Sequence, residues 1–95
     1  MEPIKARSFV YSTTYHLAWT TKYRREVFTT DKLAQDMKDI LLQTAQEKEI
    51  DIQDIEVMPD HIHVTASFSP RLSISLVMNY LKGIGSRRWG LMHPE

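Results

Sequence analysis

Residues 61–68, "HIHVTASF", alternate apolar and polar without a break, between a Pro59–Asp60 pair and Pro70. Successive side chains of a strand point to opposite faces, so this run gives a strand with two unlike faces. Ile62, Val64, Ala66 and Phe68 make one face, and His61, His63, Thr65 and Ser67 make the other. An apolar strand face must be covered, so the rest of the chain has to supply a layer that packs on it. Pro59–Asp60 is expected to form a tight turn, and Pro70 to end the strand.

The remaining segments supply that layer. "SFVYSTTYHLAWTT" (8–21) also alternates: Tyr11, Thr13, Tyr15, Leu17 and Trp19 share one parity and Ser12, Thr14, His16 and Ala18 the other. Its β-branched and aromatic content predicts a first strand. "KYRREVF" (22–28) is a basic connector. Thr30 suits the N-cap of a helix through "DKLAQDMKDILLQTAQEKE", where Leu33, Met37, Ile40, Leu41 and Thr44 recur at helical spacing. "IDIQDIEVM" (50–58) predicts a second strand with a parity slip near Gln53 or Asp54, as a bulge would give. Ser73 caps a second helix, "ISLVMNYLKGIGSRRWG", with Ile74, Val77, Met78, Leu81 and Ile84 as its stripe and Gly83 and Gly85 weakening its end.

The order is β-α-β-β-α, an α+β, ferredoxin-like layer without its last strand. The expected sheet is antiparallel, with two helices on one face and strands one and three adjacent. His16, His61 and His63 then meet on the open face. Trp19 and Trp89 suit packing. No repeat or linker divides the 95 residues, so they are expected to form one domain.

Composition excludes several functions. Without cysteine there is no disulfide framework and no thiolate metal site. No apolar run approaches the roughly 20 residues that cross a membrane, and "MEPIKARSFVYSTTY" has no apolar leader core. The expected location is therefore the cytoplasm, with no membrane partner. Net charge is zero but uneven: residues 1–25 carry +4, residues 36–60 carry −6, and residues 61–94 carry four bases and no acid. Basic ends around an acidic middle suit contact with a polyanion. The acidic middle also suits the wet face of a helix.

Two imidazoles at i and i+2 stand roughly 6.6 Å apart along a strand. They suit a divalent ion, Mg²⁺ or Mn²⁺, with water and oxygen ligands completing its shell. They equally suit two solvated residues on an open face. Asp60 can orient a histidine or simply occupy the turn. Lys22, Tyr23, Arg24 and Arg25 suit phosphate contacts plus base stacking, or a solubilising loop. Lys82, Arg87 and Arg88 suit DNA contact, and also complement a helix C-terminus.

Taken together, "YHLAWTTKYRREVF" (15–28), "IEVMPDHIHVTASFSP" (55–70) and "SISLVMNYLKGIGSRR" (73–88) resemble the single-tyrosine HUH transposases of the insertion sequence 200/605 type. The relatives associated with repetitive extragenic palindromes look similar. His61–Ile62–His63 matches the HUH motif, and the resemblance runs from about residue 9 to 88. It implies DNA transposition: cleavage and rejoining of single-stranded DNA through a phosphotyrosine link, an Mg²⁺ or Mn²⁺ ion on His61 and His63, hairpin DNA as partner, and a homodimer. His16 and Asp60 become neighbours of the site. The family's nucleophile lies on a helix after the "SRR" segment. Tyr11, Tyr15, Tyr23 and Tyr80 do not match that position, so the chain is expected to be C-terminally truncated and inactive alone. The alternative is a non-catalytic module for hairpin or single-stranded nucleic acid. A two-histidine phosphoesterase needs a second His-x-Thr beside His63–Val64–Thr65, and the chain has none.

Overall fold

The first strand, β1, is Tyr15–Thr20, and the helix α1 spans Asp31–Glu47. Strands β2, Asp51–Met58, and β3, His61–Ser67, form a hairpin through Pro59–Asp60. The final helical stretch has three parts: α2 at Ile74–Met78, a π-helical segment at Asn79–Ile84 and α3 at Gly85–Met92. The structure, a computed structural model, describes residues 13–94. The β-α-β-β-α order stands, as an α+β layer. The sheet order is β1-β3-β2 with both pairs antiparallel. The first strand begins later than its alternation suggests, since Thr13 and Thr14 are outside it. The part of that expectation on residues 8–12, Tyr11 included, lies outside the described residues.

The dry face of β3 carries the core. Ile62, Val64, Ala66 and Phe68 are buried with Leu17 of β1, Met37, Ile40, Leu41 and Ala45 of α1, and Val77 and Leu81. Leu41, Val64 and Leu81 have no accessible surface. Each large side chain buried this way contributes about 1.5–3 kcal/mol, and a domain this small has few of them. Capping fixes where the helices start. Thr30 Oγ1 accepts from the Leu33 amide at 3.1 Å, and Ser73 Oγ accepts from the Leu76 amide at 3.0 Å. Such caps are worth about 1 kcal/mol. The expected parity slip is a register shift between Ile52 and Asp54. It keeps Ile55 and Val57 on the core side and sends Asp54, Glu56 and Met58 outward.

Two expectations need correction. Ser67 is buried, because Gln53 at the bulge reaches across the sheet and donates from Nε2 to Ser67 Oγ at 2.8 Å. Ile74 is 48% exposed. It opens α2, whereas the parts of the final helical stretch that pack on α1 are the π segment and α3. The helix runs past Gly83 and Gly85, as its sequence bounds imply. The π segment absorbs an extra residue, and the helix continues to Met92. Gly85 permits a close approach: a Cβ there would lie 3.2 Å from Leu41 Cδ2.

The end of α3 is tied back to α1. Trp89 meets Phe28 edge-on at 5.1 Å, and His93 lies over Trp89 at 4.2 Å. Asp36 is buried, with Lys32 Nζ at 2.6 Å and His93 Nε2 at 3.1 Å. The Lys32 hydrogen bond holds the Asp36 carboxyl below its usual pKa. Burial opposes this, and the His93 hydrogen bond adds to it. A carboxylate with a depressed folded pKa stabilises the fold above its unfolded value near 4 and loses that contribution as pH falls through the folded value. Asp36→Asn should therefore lower the thermal midpoint at pH 7. The gap to the parent should close on acidification below about pH 4. A gap that persists unchanged in strong acid would show that the carboxylate charge is not what matters.

Candidate functional site

Pairing on both sides of β3 sets out the open face in rows. His61 stands between Thr20 and Met58, His63 between Ala18 and Glu56, and Thr65 between His16 and Asp54. Both histidines of β3 lie on the face away from the buried Ile62 and Val64. His16 joins them from β1. Its ring lies 5.9 Å from that of His63, and its Nδ1 is 3.3 Å from Thr65 Oγ1. The three histidines thus share one surface. Glu56 and Asp54, not singled out from the sequence as site residues, share it too. The parity slip at Gln53 was their signal, because it decides which face the acids of β2 occupy.

His61 is oriented from its own turn. Asp60 Oδ1 lies 2.9 Å from His61 Nδ1, and Arg24 Nη2 lies 3.4 Å from Asp60 Oδ2. The His61 hydrogen bond lowers the Asp60 pKa, burial partly opposes it, and the charge of Arg24 adds to the lowering. An ionised carboxylate only accepts, so a neutral His61 donates from Nδ1 and keeps its Nε2 lone pair. Asp60 therefore both forms the turn and orients the histidine.

The basic connector is stitched to the same turn. The Thr21 amide donates to the Asp60 carbonyl at 2.9 Å, and the Val27 and Phe28 amides donate to the Pro59 carbonyl at 2.8 and 3.1 Å. Between these anchors Lys22–Arg24 forms a tight turn in which Tyr23 and Arg24 have φ of 59° and 55°. A left-handed residue other than glycine costs on the order of 1–3 kcal/mol. The anchors hold this conformation in place. Tyr23 is 78% exposed, with Lys22 Nζ 5.3 Å and Arg25 Cζ 5.8 Å from its ring centre.

The second basic group divides. Lys82 and Arg87 are exposed, whereas Arg88 is engaged on α1, donating to Thr44 Oγ1 at 3.1 Å and to Glu47 Oε1 at 2.7 Å. Lys22 and Lys82 line one cavity of about 390 Å³ with Trp19, Phe28, Ile62 and Trp89. The two basic segments therefore approach each other at the end of β1. Tyr15 stacks on buried Phe68 at 4.5 Å, and Tyr80 lies partly buried with Lys48 Nζ 4.7 Å from its ring centre. Neither stands on the histidine face.

The donor set fits part of a metal shell. Two imidazoles project from adjacent outward positions, and one has its lone-pair nitrogen fixed by a carboxylate, a common arrangement for a metal-bound histidine. Among the described residues, no three His, Asp or Glu side chains form a group that could hold an ion. A divalent ion here would draw its other ligands from water or substrate oxygens. No helix of the described residues is long and apolar enough to cross a membrane.

The profile of the family described as "Transposase IS200 like" matches residues 9–95. The chain is 37% identical over 95 residues to the ISDra2 transposase TnpA of Deinococcus radiodurans, covering 100% of this chain and 67% of that protein. It is 36% identical over 72 residues to the transposase for insertion sequence element IS200 of Salmonella typhimurium, covering 76% of this chain and 47% of that one. A crystal structure from Deinococcus radiodurans described as a transposase matches with a TM-score of 0.84 at 37% identity, covering 92% of this chain and 66% of that one. The chain thus spans between about half and two thirds of the length of these relatives.

The Asp60 contact gives a direct test. In Asp60→Asn the side chain can donate as well as accept, so it no longer dictates which His61 nitrogen carries the proton. Nitrogen-15 chemical shifts of the neutral ring should report an Nδ1-protonated His61 in the parent and a shift towards the Nε2-protonated form in the variant. Identical spectra would show that Asp60 does not orient the ring.

Proposed function

The chain belongs to the IS200-like transposase family, and from that premise we propose that it binds hairpin-forming single-stranded DNA and sets a phosphate against a divalent ion held by His61 and His63. The observation that carries this reading is the histidine pair on the open face of the sheet, with His61 oriented by Asp60 and Asp60 engaged by Arg24 from the basic connector. One unit thereby combines metal donors with groups that attract phosphate.

Mg²⁺ or Mn²⁺, when bound, polarises a phosphoryl oxygen and offsets developing negative charge. The chain's own residues do the rest. Asp60 keeps His61 in one tautomer. Lys22, Arg24 and Arg25 draw the backbone of the strand to the edge of the histidine face, and Lys82 and Arg87 extend the positive field. Arg88 is assigned a structural contact in addition to any phosphate it meets, because Thr44 and Glu47 already engage it. His16 borders the site through Thr65 and the ring of His63. A homodimer is part of the proposal on the strength of family membership alone.

Cleavage through a phosphotyrosine needs an attacking hydroxyl. Tyr15 and Tyr80 are packing residues, and Tyr23 stands on the connector. Among the described residues no tyrosine is thus placed on the histidine face, and the reading for these residues is DNA binding without cleavage, in which the non-catalytic module and the transposase reading meet. Tyr11 lies outside the described residues.

Filter binding should show tighter association with a single-stranded hairpin than with a duplex of the same sequence. Affinity should fall as salt rises, because Lys and Arg contacts release counterions. Equal affinity for the duplex would sink the proposal. Incubation of labelled hairpin with the protein and Mn²⁺ should give no covalent adduct on a denaturing gel. An adduct abolished by Tyr→Phe at Tyr11, Tyr15, Tyr23 or Tyr80 would reveal a nucleophile and overturn the non-cleaving assignment.

A further inference from the structure

We infer that Tyr23 is a stacking platform for one unpaired base of the bound strand, held at a fixed offset from the histidine pair, so that it sets which phosphate reaches His61 and His63. The inference rests on the DNA-binding reading above and assigns the positioning of the strand within it.

Four observations meet at this residue. The ring is 78% exposed, although an aromatic of this size more often covers core. It stands on a backbone that tyrosine adopts at a cost, φ 59° and ψ 21°, followed by a second left-handed residue, Arg24. That geometry is held from both ends by hydrogen bonds to Pro59 and Asp60, the residues directly before His61. Cations flank the ring: Lys22 Nζ is 5.3 Å and Arg25 Cζ 5.8 Å from its centre.

Each observation alone has a plainer account. An exposed tyrosine can be solvated, and a strained turn can serve chain reversal. Together they describe an exposed aromatic face on a backbone that is tied to the turn leading into His61. A base stacked on such a face contributes through its π-surface irrespective of sequence, while flanking cations meet the phosphates on either side. Arg24 in the same turn is engaged with Asp60, which orients His61. A base seated on Tyr23 therefore lies at a set distance from the histidines, and its neighbouring phosphates are placed in register with them.

The left-handed φ makes the test clean. Tyr23→Gly removes the ring at a position whose backbone suits glycine, so the turn is retained. Tyr23→Phe keeps the ring and removes only the hydroxyl. The probe is a labelled DNA hairpin with a single-stranded thymidine flank, read by fluorescence anisotropy with abasic sites placed one at a time along the flank. Wild type and Tyr23→Phe should share one sensitive position, where losing the base weakens binding roughly five- to a hundredfold. In Tyr23→Gly intact DNA should bind more weakly by a similar factor, and the sensitivity at that position should vanish. Circular dichroism and thermal melting verify that the glycine variant is folded.

A Tyr23→Gly protein with the parent's affinity and the parent's abasic profile would overturn the platform while leaving DNA binding intact. A sensitive position lost in Tyr23→Phe as well would assign the effect to the hydroxyl and also overturn it. Wild type that ignores the hairpin altogether would instead overturn the DNA-binding reading, and the platform with it.

Discussion

Everything in this protein depends on β3 being the central strand. Hydrogen bonding to β1 on one side and β2 on the other satisfies its backbone and fixes the register of both neighbours. Its dry face is the floor on which α1 and the final helical stretch pack. Its wet face carries His61 and His63. A slip of one residue would exchange the two faces, burying both imidazoles and exposing Ile62, Val64 and Ala66. The apolar residues that stabilise the fold thus determine where the histidines point.

The second constraint is the docking of the connector on the Pro59–Asp60 turn. Three backbone hydrogen bonds join residues between 31 and 39 positions apart in sequence. Each contributes only about 0.5–1.5 kcal/mol net, comparable to the cost of the left-handed backbone they hold. Their effect is geometric as well as energetic. They bring Arg24 to Asp60 and Asp60 to His61, so the basic loop and the histidine pair form one body. Positive charge and an exposed aromatic ring are then joined to the turn that leads into the histidine pair.

Much of this was legible in the sequence because short-range rules govern it. The alternation of β3, the caps Thr30 and Ser73, the bulge near Gln53 and the open-face placement of His16, His61 and His63 follow from side-chain period and local hydrogen bonding. The departures have non-local causes. Ser67 is buried because Gln53 covers it from another strand. Gly85 reads as a weak point of the helix in isolation, yet it is also the point where the last helix comes close to Leu41. The Asp54 and Glu56 carboxylates join the histidine face only once the bulge restores their parity.

By itself the sequence determined the two-faced central strand, the helices that cover it and the chemistry available on the open face, because period and residue type are carried within each segment. It also carried the family resemblance from its first strand to its last helix. Tertiary structure decided which of the basic residues act together. Arg88 is engaged by Thr44 and Glu47, Arg24 by Asp60, and Lys22 meets Lys82 across a cavity. It also decided that Tyr23 stands exposed on a left-handed turn. Neither the period of a strand nor the propensity of a residue encodes that outcome, because the hydrogen bonds that fix the turn come from Pro59 and Asp60, more than thirty positions further along the chain.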